Sequence, residues 1–285
     1  MSYACIDLGS TSFHCELFKR LESGAFQSLS KLKEPVFLRL SMDEHGCLSP
    51  SALERGMVCL KRFGEALKSY QVKEVVAAGT YTLRSITNQQ WVLEQFQQAL
   101  GYPIRVLSGE EEARLIFAGA SSKQPFKLPT LLIDIGGGST ELIVGQGREP
   151  FWPKSLPIGC ASLSKTYFDG EKMDFDAAIA EAKSCLLGLT IPSWQTCLGS
   201  AGTIKTLLTI LKAQDLGQLI TLDLLYRIRE SWTSHEILLG LREDRAQVFP
   251  GGLSLLIALF ETFRIEQMAQ ADGGLREGLL GAFIS

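Results

Sequence analysis

Two stretches of this chain share a pattern that constrains the fold more than any other feature. Each is an apolar strand ending in Asp-aliphatic-Gly, followed by a turn of small residues and a returning strand. The first runs Ala4-Cys5-Ile6-Asp7-Leu8-Gly9-Ser10-Thr11-Ser12-Phe13-His14. The second runs Leu131-Leu132-Ile133-Asp134-Ile135-Gly136-Gly137-Gly138-Ser139-Thr140-Glu141. β-Prone runs around such a turn read as tight hairpins. Two aligned copies indicate duplicated halves whose hairpins face each other across a cleft. Three consecutive glycines remove every Cβ at the second turn, so backbone N–H groups can close on an anion. Asp134 ends its strand beside that concavity, where a carboxylate suits the Mg²⁺ that accompanies phosphates. A glycine-rich hairpin with one solvated Asp is the plainer alternative.

A chain of 285 residues has room for two domains, each with its own core. A formal net charge of -3 leaves no electrostatic footprint for nucleic acid, so a polyanion would need a local basic patch. No apolar run approaches the roughly 18 residues of a membrane span, and no signal peptide is visible. Cys5, Cys15, Cys47, Cys59, Cys160, Cys185 and Cys197 include no C-x-x-C pair. They read as small buried hydrophobes in a reducing cytoplasm rather than a zinc site or disulfide frame.

Along the chain, a strand is expected over 25–40, ending near Leu40. Ser49-Pro50 opens a helix with hydroxyl cap and proline in their preferred order. Residues 72–78 form a buried strand, Gly79 to Arg84 leads into a helix that ends at Gly101, and Ile104–Leu107 is a further strand. Ser108 and Glu111 form a capping box at the next helix. In that helix Glu112 shares the apolar face of Leu115 and Ile116, a costly place for a carboxylate without a partner or a task. Arg114, two residues on, points elsewhere. The linker-like stretch 120–129 sets a boundary between domains 1–120 and 121–285, with the last helix free to pack back on the first. The second half repeats the strand pattern to about residue 158, with a helix expected from Phe175 to Leu189. Gly199-Ser200-Ala201-Gly202-Thr203 makes a third small-residue turn at a helix start, suited to anions. Residues 221–264 read as helical with a break at Pro250-Gly251-Gly252, and a strand over 267–271 leads to a closing helix.

These motifs, with Gly79 to Arg84, Phe249-Pro250-Gly251 and Leu275-Arg276-Glu277-Gly278, occur in an order that resembles one family. It is the exopolyphosphatase / guanosine pentaphosphate phosphohydrolase family of the actin-like ATPase and sugar-kinase superfamily. The resemblance implies an α/β chain of two actin-like, ribonuclease H-like βββαβα domains related by duplication, with the active site in the cleft. It implies Mg²⁺-dependent hydrolysis of terminal phosphoanhydride bonds of inorganic polyphosphate or guanosine pentaphosphate, with Mn²⁺ as a possible substitute.

Position by position, the resemblance makes Glu112 the general base and Asp134 the metal-associated acid, with Glu141 the second acidic residue and Arg84 the phosphate-facing arginine. Asp7, Asp134 and Glu141 are then the expected metal set. Gly9, Ser10, Thr11, Ser12, Gly136, Gly137, Gly138, Ser139, Ser200 and Gly202 are the expected phosphate binders. Thr11 stands where the family usually has Asn. The chain also stops where many relatives continue into a helical C-terminal module. The expected partner is polyphosphate or guanosine penta- or tetraphosphate, without nucleic acid or membrane, and a homodimer stays open. Lys19, Arg20, Lys31 and Lys33 are candidates for one wall of the cleft, though dispersed lysines are more often a solvated face, so no long polymer track is evident and short chains are the expected polyphosphate. Two other classes fit the hairpins: a small-molecule kinase, with Glu112 facing an acceptor instead of water, and a non-catalytic sensor of polyphosphate or guanosine tetraphosphate.

Overall fold

The computed structural model describes residues 2–22, 26–170 and 172–284. Its organising fact is repetition of one sheet. In the first half, β1 (Ser2–Leu8), β2 (Ser12–Arg20) and β3 (Phe26–Pro35) form an antiparallel meander. After α1 (Pro50–Ser69), β4 (Val72–Gly79) returns parallel to β1, and β5 (Ile104–Val106) adds to its edge, giving the order β3-β2-β1-β4-β5. In the second half, β6 (Phe126–Ile135), β7 (Thr140–Gly147) and β8 (Glu149–Leu156) repeat the meander. There β9 (Thr196–Ser200) and β10 (Ala269–Gln270) repeat the parallel pair, in the order β10-β9-β6-β7-β8. This is the duplicated actin-like arrangement. The register matches too: Asp7 pairs with His14 as Asp134 pairs with Glu141.

Apolar alternation sends one face of the first sheet, with Ile6, Leu8, Phe13, Cys15 and Leu17, into a core with α1 residues Leu60 and Phe63. The other face is closed by exchange. The helix ending the first half, α4 (Gly109–Ala120), places Ile116 and Phe117 against Leu132 and Ile143 of the second sheet. The closing helix α11 (Leu275–Phe283) places Leu279 and Leu280 against Tyr3, Cys5 and Ala78 of the first sheet. Each half is therefore sealed in part by the other's last helix. Among the described residues no helix is long and apolar enough to cross a membrane.

The expected strand 25–40 ends early, and its first residue lies outside the described residues. Past Pro35 the chain turns through Phe37, at a positive φ of 51°, into a single 3-10 turn at Arg39–Ser41. The run Gly79 to Arg84, expected only to lead into the helix that ends at Gly101, forms a short helix of its own, α2 (Tyr81–Ser85), separate from α3 (Gln89–Leu100). The reason is competition for backbone groups: Thr87 N–H donates to the Gly46 carbonyl, and the Asn88 side chain accepts from Leu48 N–H at 3.0 Å. The capping box at α4 is half made. Ser108 accepts from Glu111 N–H at 3.2 Å, but the Glu111 carboxylate pairs with Arg105 at 2.6 Å.

A short helix, α5 (Cys160–Tyr167), was not anticipated, and α6 (Phe175–Leu186) stops before its expected end. After α7 (Ala201–Ala213) and α8 (Leu222–Thr233), the helical break falls at 234–242, ahead of the single turn α9 (Glu243–Ala246). Pro250 instead sits in the first turn of the buried α10 (Phe249–Phe263), where no intrahelical N–H is required. Gly251 and Gly252 make room for Ser164 and Thr203.

Candidate active site

Both hairpin turns are held from behind by their carbonyls. The Gly136 carbonyl accepts from Cys160 N–H at 2.9 Å, and the Gly137 carbonyl accepts from Ala161 and Ser162 N–H at 2.9 and 3.2 Å. The first turn of α5 thus spends its free donors on the glycine loop. In a planar trans peptide the next N–H points opposite to its carbonyl, so the N–H groups of Gly137 and Gly138 turn away from α5. Among the described residues neither has a hydrogen-bond acceptor. The first turn is held alike: Ser10 O accepts from Arg39 N–H at 3.1 Å, and Thr11 O from Val36 and Phe37 N–H at 3.0 and 2.9 Å.

The glycines have a second purpose that their sequence did not disclose. A Cβ on Gly137 would strike Thr11 and Ser10 of the opposite turn, one on Gly138 would strike the Tyr81 ring, and one on Gly159 would strike the Gly137 backbone. The two turns therefore abut, with Thr11 at the seam. Ser10 is fixed by the Thr82 hydroxyl at 2.7 Å.

Four carboxyls gather around this seam. Glu112, in the first turn of α4, is 6% exposed, and its Oε2 accepts from Arg84 Nη1 at 3.2 Å. That nitrogen also donates to the Leu107 carbonyl at 2.6 Å. Burial pushes Glu112 up to about 8 against the pull of Arg84, with Asp7 and Asp134 adding to the rise. The neighbouring Glu110 is satisfied by Arg114 at 2.8 Å. Glu141, 1% exposed, accepts from Ser155 at 2.8 Å and from Ser139. Lost hydration raises it well above the usual range, with Glu112 and Asp134 contributing. Asp7 is raised to about 6, again by lost hydration first, with Arg276 opposing and Asp134 adding. Asp134 is raised for the same first reason, opposed by Ser200 and Lys205.

The third turn is positioned differently from its expected use. The Ser200 hydroxyl is donated to Asp134 Oδ2, and the α-carbon of Gly202 is covered by the Arg245 guanidinium. Between them Ala201 takes a positive φ of 66°, an uncommon conformation for a side-chain-bearing residue. Arg245 is 8% exposed and its Nε has no acceptor among the described residues. It belongs to a basic basin that sequence reading missed. His14 is held down to about 2 by burial and then by Arg276, Lys33, Lys205 and Arg245, which come from four different elements. Of the four wall cations proposed from sequence, Lys33 joins this basin, and Lys31 pairs with the buried Glu16 at 3.0 Å. Lys19 and Arg20 lie exposed at the end of β2.

Comparison with known proteins gives this arrangement its setting. Residues 18–283 match the model of the Ppx/GppA phosphatase family. The protein belongs to that family. It is 41% identical over 289 aligned positions to the guanosine-5'-triphosphate,3'-diphosphate pyrophosphatase of Aliivibrio fischeri, across 97% of this chain and 58% of that relative. The chain thus spans a little over half the length of such relatives. An exopolyphosphatase structure from Cytophaga hutchinsonii shares the fold at TM-score 0.86 and 23% identity, covering 99% of this chain and 97% of that one. The Aquifex aeolicus PPX-GPPA enzyme aligns at TM-score 0.77 and 25% identity, covering 98% of both chains.

In this Ppx/GppA protein the structure brings Asp7, Glu112, Asp134, Glu141, Arg84 and the two turns to one place, with Ser200 supporting Asp134. Among the described residues no three His, Cys, Asp or Glu side chains converge as a ready metal cage. Glu141 is turned toward Ser155 and Ser139, while Asp7, at the end of the matching strand of the first half, feels the charge of Asp134. Two carboxylates completed by substrate phosphates is the usual protein share of a Mg²⁺ site, so the donor set fits that ion. Ser155 carried no signal in the sequence, whereas Arg276 lay inside a motif already singled out and Lys205 two residues beyond another.

Proposed function

We propose that the protein hydrolyses the terminal phosphoanhydride bond of guanosine 5'-triphosphate 3'-diphosphate, releasing orthophosphate. The observation that carries this reading is the buried Glu112, paired with Arg84 and set beside two turns that present unclaimed N–H groups. A carboxyl raised to about 8 is a strong base once ionised, and its burial keeps bulk water from levelling it. Glu112 orients a water molecule and takes its proton as the water oxygen bonds to the terminal phosphorus. The bridging P–O bond breaks, and its electron pair leaves with the shortened phosphate chain. Donors from Gly137 and Gly138 are aimed where charge gathers on the equatorial oxygens.

Asp7 and Asp134 would hold a divalent cation, and Glu141 orders the pocket through Ser155. Bound there, Mg²⁺ or Mn²⁺ would neutralise phosphate charge and relieve the repulsion between these acids. The substrate choice rests on the name carried by the curated relatives and on the basic basin across the cleft. Lys205 and Arg245, flanked by Lys33 and Arg276, which pair with Asp244 at 3.7 Å and Glu16 at 3.1 Å, offer a second anionic group a place apart from the reacting end. Inorganic polyphosphate is the second substrate, with short chains preferred, because this basin is compact.

A phosphate-release assay across guanosine pentaphosphate, size-fractionated polyphosphate and ATP tests the reading. Release from the pentaphosphate, with ATP poor, is the expected result. ATP consumed only with transfer to an alcohol or acid acceptor would make the protein a kinase. Tight binding of all three without turnover would make it a sensor.

A further inference from the structure

Arg39 has no assigned task, yet it stands at the seam of the two turns. Its backbone N–H donates to the Ser10 carbonyl of the first turn at 3.1 Å. Its guanidinium lies 5.6 Å from the centre of the Tyr81 ring, and Arg84 lies at the same distance from that ring. The ring in turn packs on Gly138 of the second turn, leaving no room for a Cβ there. Arg39 and the base's partner Arg84 thus share one aromatic platform against the glycine loop.

The two arginines differ in what neutralises them. Arg84 is committed to Glu112 and to the Leu107 carbonyl. Among the described residues Arg39 has no carboxylate partner. Among the same residues its side-chain hydrogen bond goes to the Met42 thioether, Nη1 to Sδ at 3.2 Å, and thioether sulfur is a weak acceptor. A guanidinium carries five N–H donors in a fixed fork matched to phosphate. Here most of that fork is unspent. Nearby, Asp7, Glu112, Asp134 and Glu141 oppose the approach of a polyanion.

Resting on the hydrolase reading above, we propose that Arg39 is a substrate-binding residue that takes non-bridging phosphoryl oxygens of the chain bound at the turns. The Tyr81 ring holds the guanidinium in place by a cation–π contact, which lowers the entropy lost on binding. Arg39 does not touch the base, so it grips ground state and transition state alike. Its contribution therefore appears in KM rather than kcat.

The test compares wild type, Arg39→Met and Arg39→Lys on guanosine pentaphosphate and tripolyphosphate at several salt concentrations. Methionine keeps the apolar stem over Tyr81 and removes the charge. Arg39→Met should raise KM by roughly tenfold, leave kcat within about twofold, and flatten the salt dependence of kcat/KM, with Arg39→Lys recovering part of the loss. A merely structural role would lower the melting temperature and kcat together without changing the salt slope. Unchanged KM and salt slope in Arg39→Met would overturn the assignment. Titration calorimetry with tripolyphosphate separates the two readings. Wild type that binds but does not hydrolyse, with weaker binding by Arg39→Met, would keep Arg39 and remove the hydrolase. Absence of binding by wild type would remove both.

Discussion

Arg84 Nη1 and Glu112 Oε2 lie 3.2 Å apart, and this ion pair ties α2 to the helix that packs on the second sheet. Arg84 belongs to α2 of the first half, while Glu112 begins α4, whose body packs on the second sheet. Any opening of the cleft that parts these elements would also change the charge next to the base. Removing the arginine isolates that effect. Arg84→Met takes away a cation that favours the Glu112 carboxylate, so the pH limb set by Glu112 should move upward. In wild type, kcat/KM should rise with pH toward about 8 and then level, because the base acts only when ionised. In Arg84→Met the rise should continue to higher pH. A pH–rate profile that stays in place would separate Arg84 from the base.

Metal dependence follows from the burial of Asp7 near Asp134, whose charge adds to the cost of ionising Asp7. Chelation should abolish phosphate release, and Mg²⁺ or Mn²⁺ should restore it. Asp134→Asn should raise the metal concentration needed for half-maximal activity by roughly ten- to a hundredfold. Full activity in excess chelator would refute the metal assignment.

Much of this was legible in the sequence for a physical reason. Hairpins are local, and an apolar strand ending in Asp-aliphatic-Gly writes its register in consecutive residues, so the matching pairs Asp7–His14 and Asp134–Glu141 follow from pattern alone. The exceptional position of Glu112 was equally visible, as a carboxylate on an apolar helix face. Contacts made at long range were not. The break between α2 and α3 depends on Gly46 and Leu48, forty residues away, and the basic basin is assembled from separate elements of both halves. Pro250 misled because proline opens a helix as readily as it ends one.

The packing of Gly159 on Gly137 gives a stability test. Gly159→Ala places a Cβ against backbone that cannot swing aside, so destabilisation by about 1–3 kcal/mol is expected, with loss of activity as the loop shifts. Gly147→Ala, where open space surrounds the α-carbon, should cost stability through its positive φ of 64° but leave the turn and kcat intact. Equal loss of activity in both would deny the loop its special role.

His14 predicts a pH dependence of stability. Its folded-state pKa is held down to about 2 by burial and by the surrounding cations, against an ordinary value of 6.5. Below 6.5 the unfolded chain binds a proton that the folded chain refuses, so this group's stability is present at neutral pH and lost as pH falls. The slope approaches about 1.4 kcal/mol per pH unit. Asp7, raised to about 6, acts in the opposite sense between its ordinary value and pH 6, so the comparison must be with His14→Gln. Urea melts from pH 7 to 5 should show wild type losing stability relative to that variant, and parallel curves would contradict a buried neutral His14.

The central claim is that Glu112 activates water. Glu112→Gln keeps the size and the hydrogen-bonding capacity toward Arg84 but cannot take a proton. Single-turnover phosphate release from guanosine pentaphosphate, measured beside equilibrium binding of the same nucleotide, tests it most directly. The predicted result is a fall in the release rate of roughly 10²–10⁴-fold with binding nearly unchanged. Release at close to the wild-type rate would contradict the account.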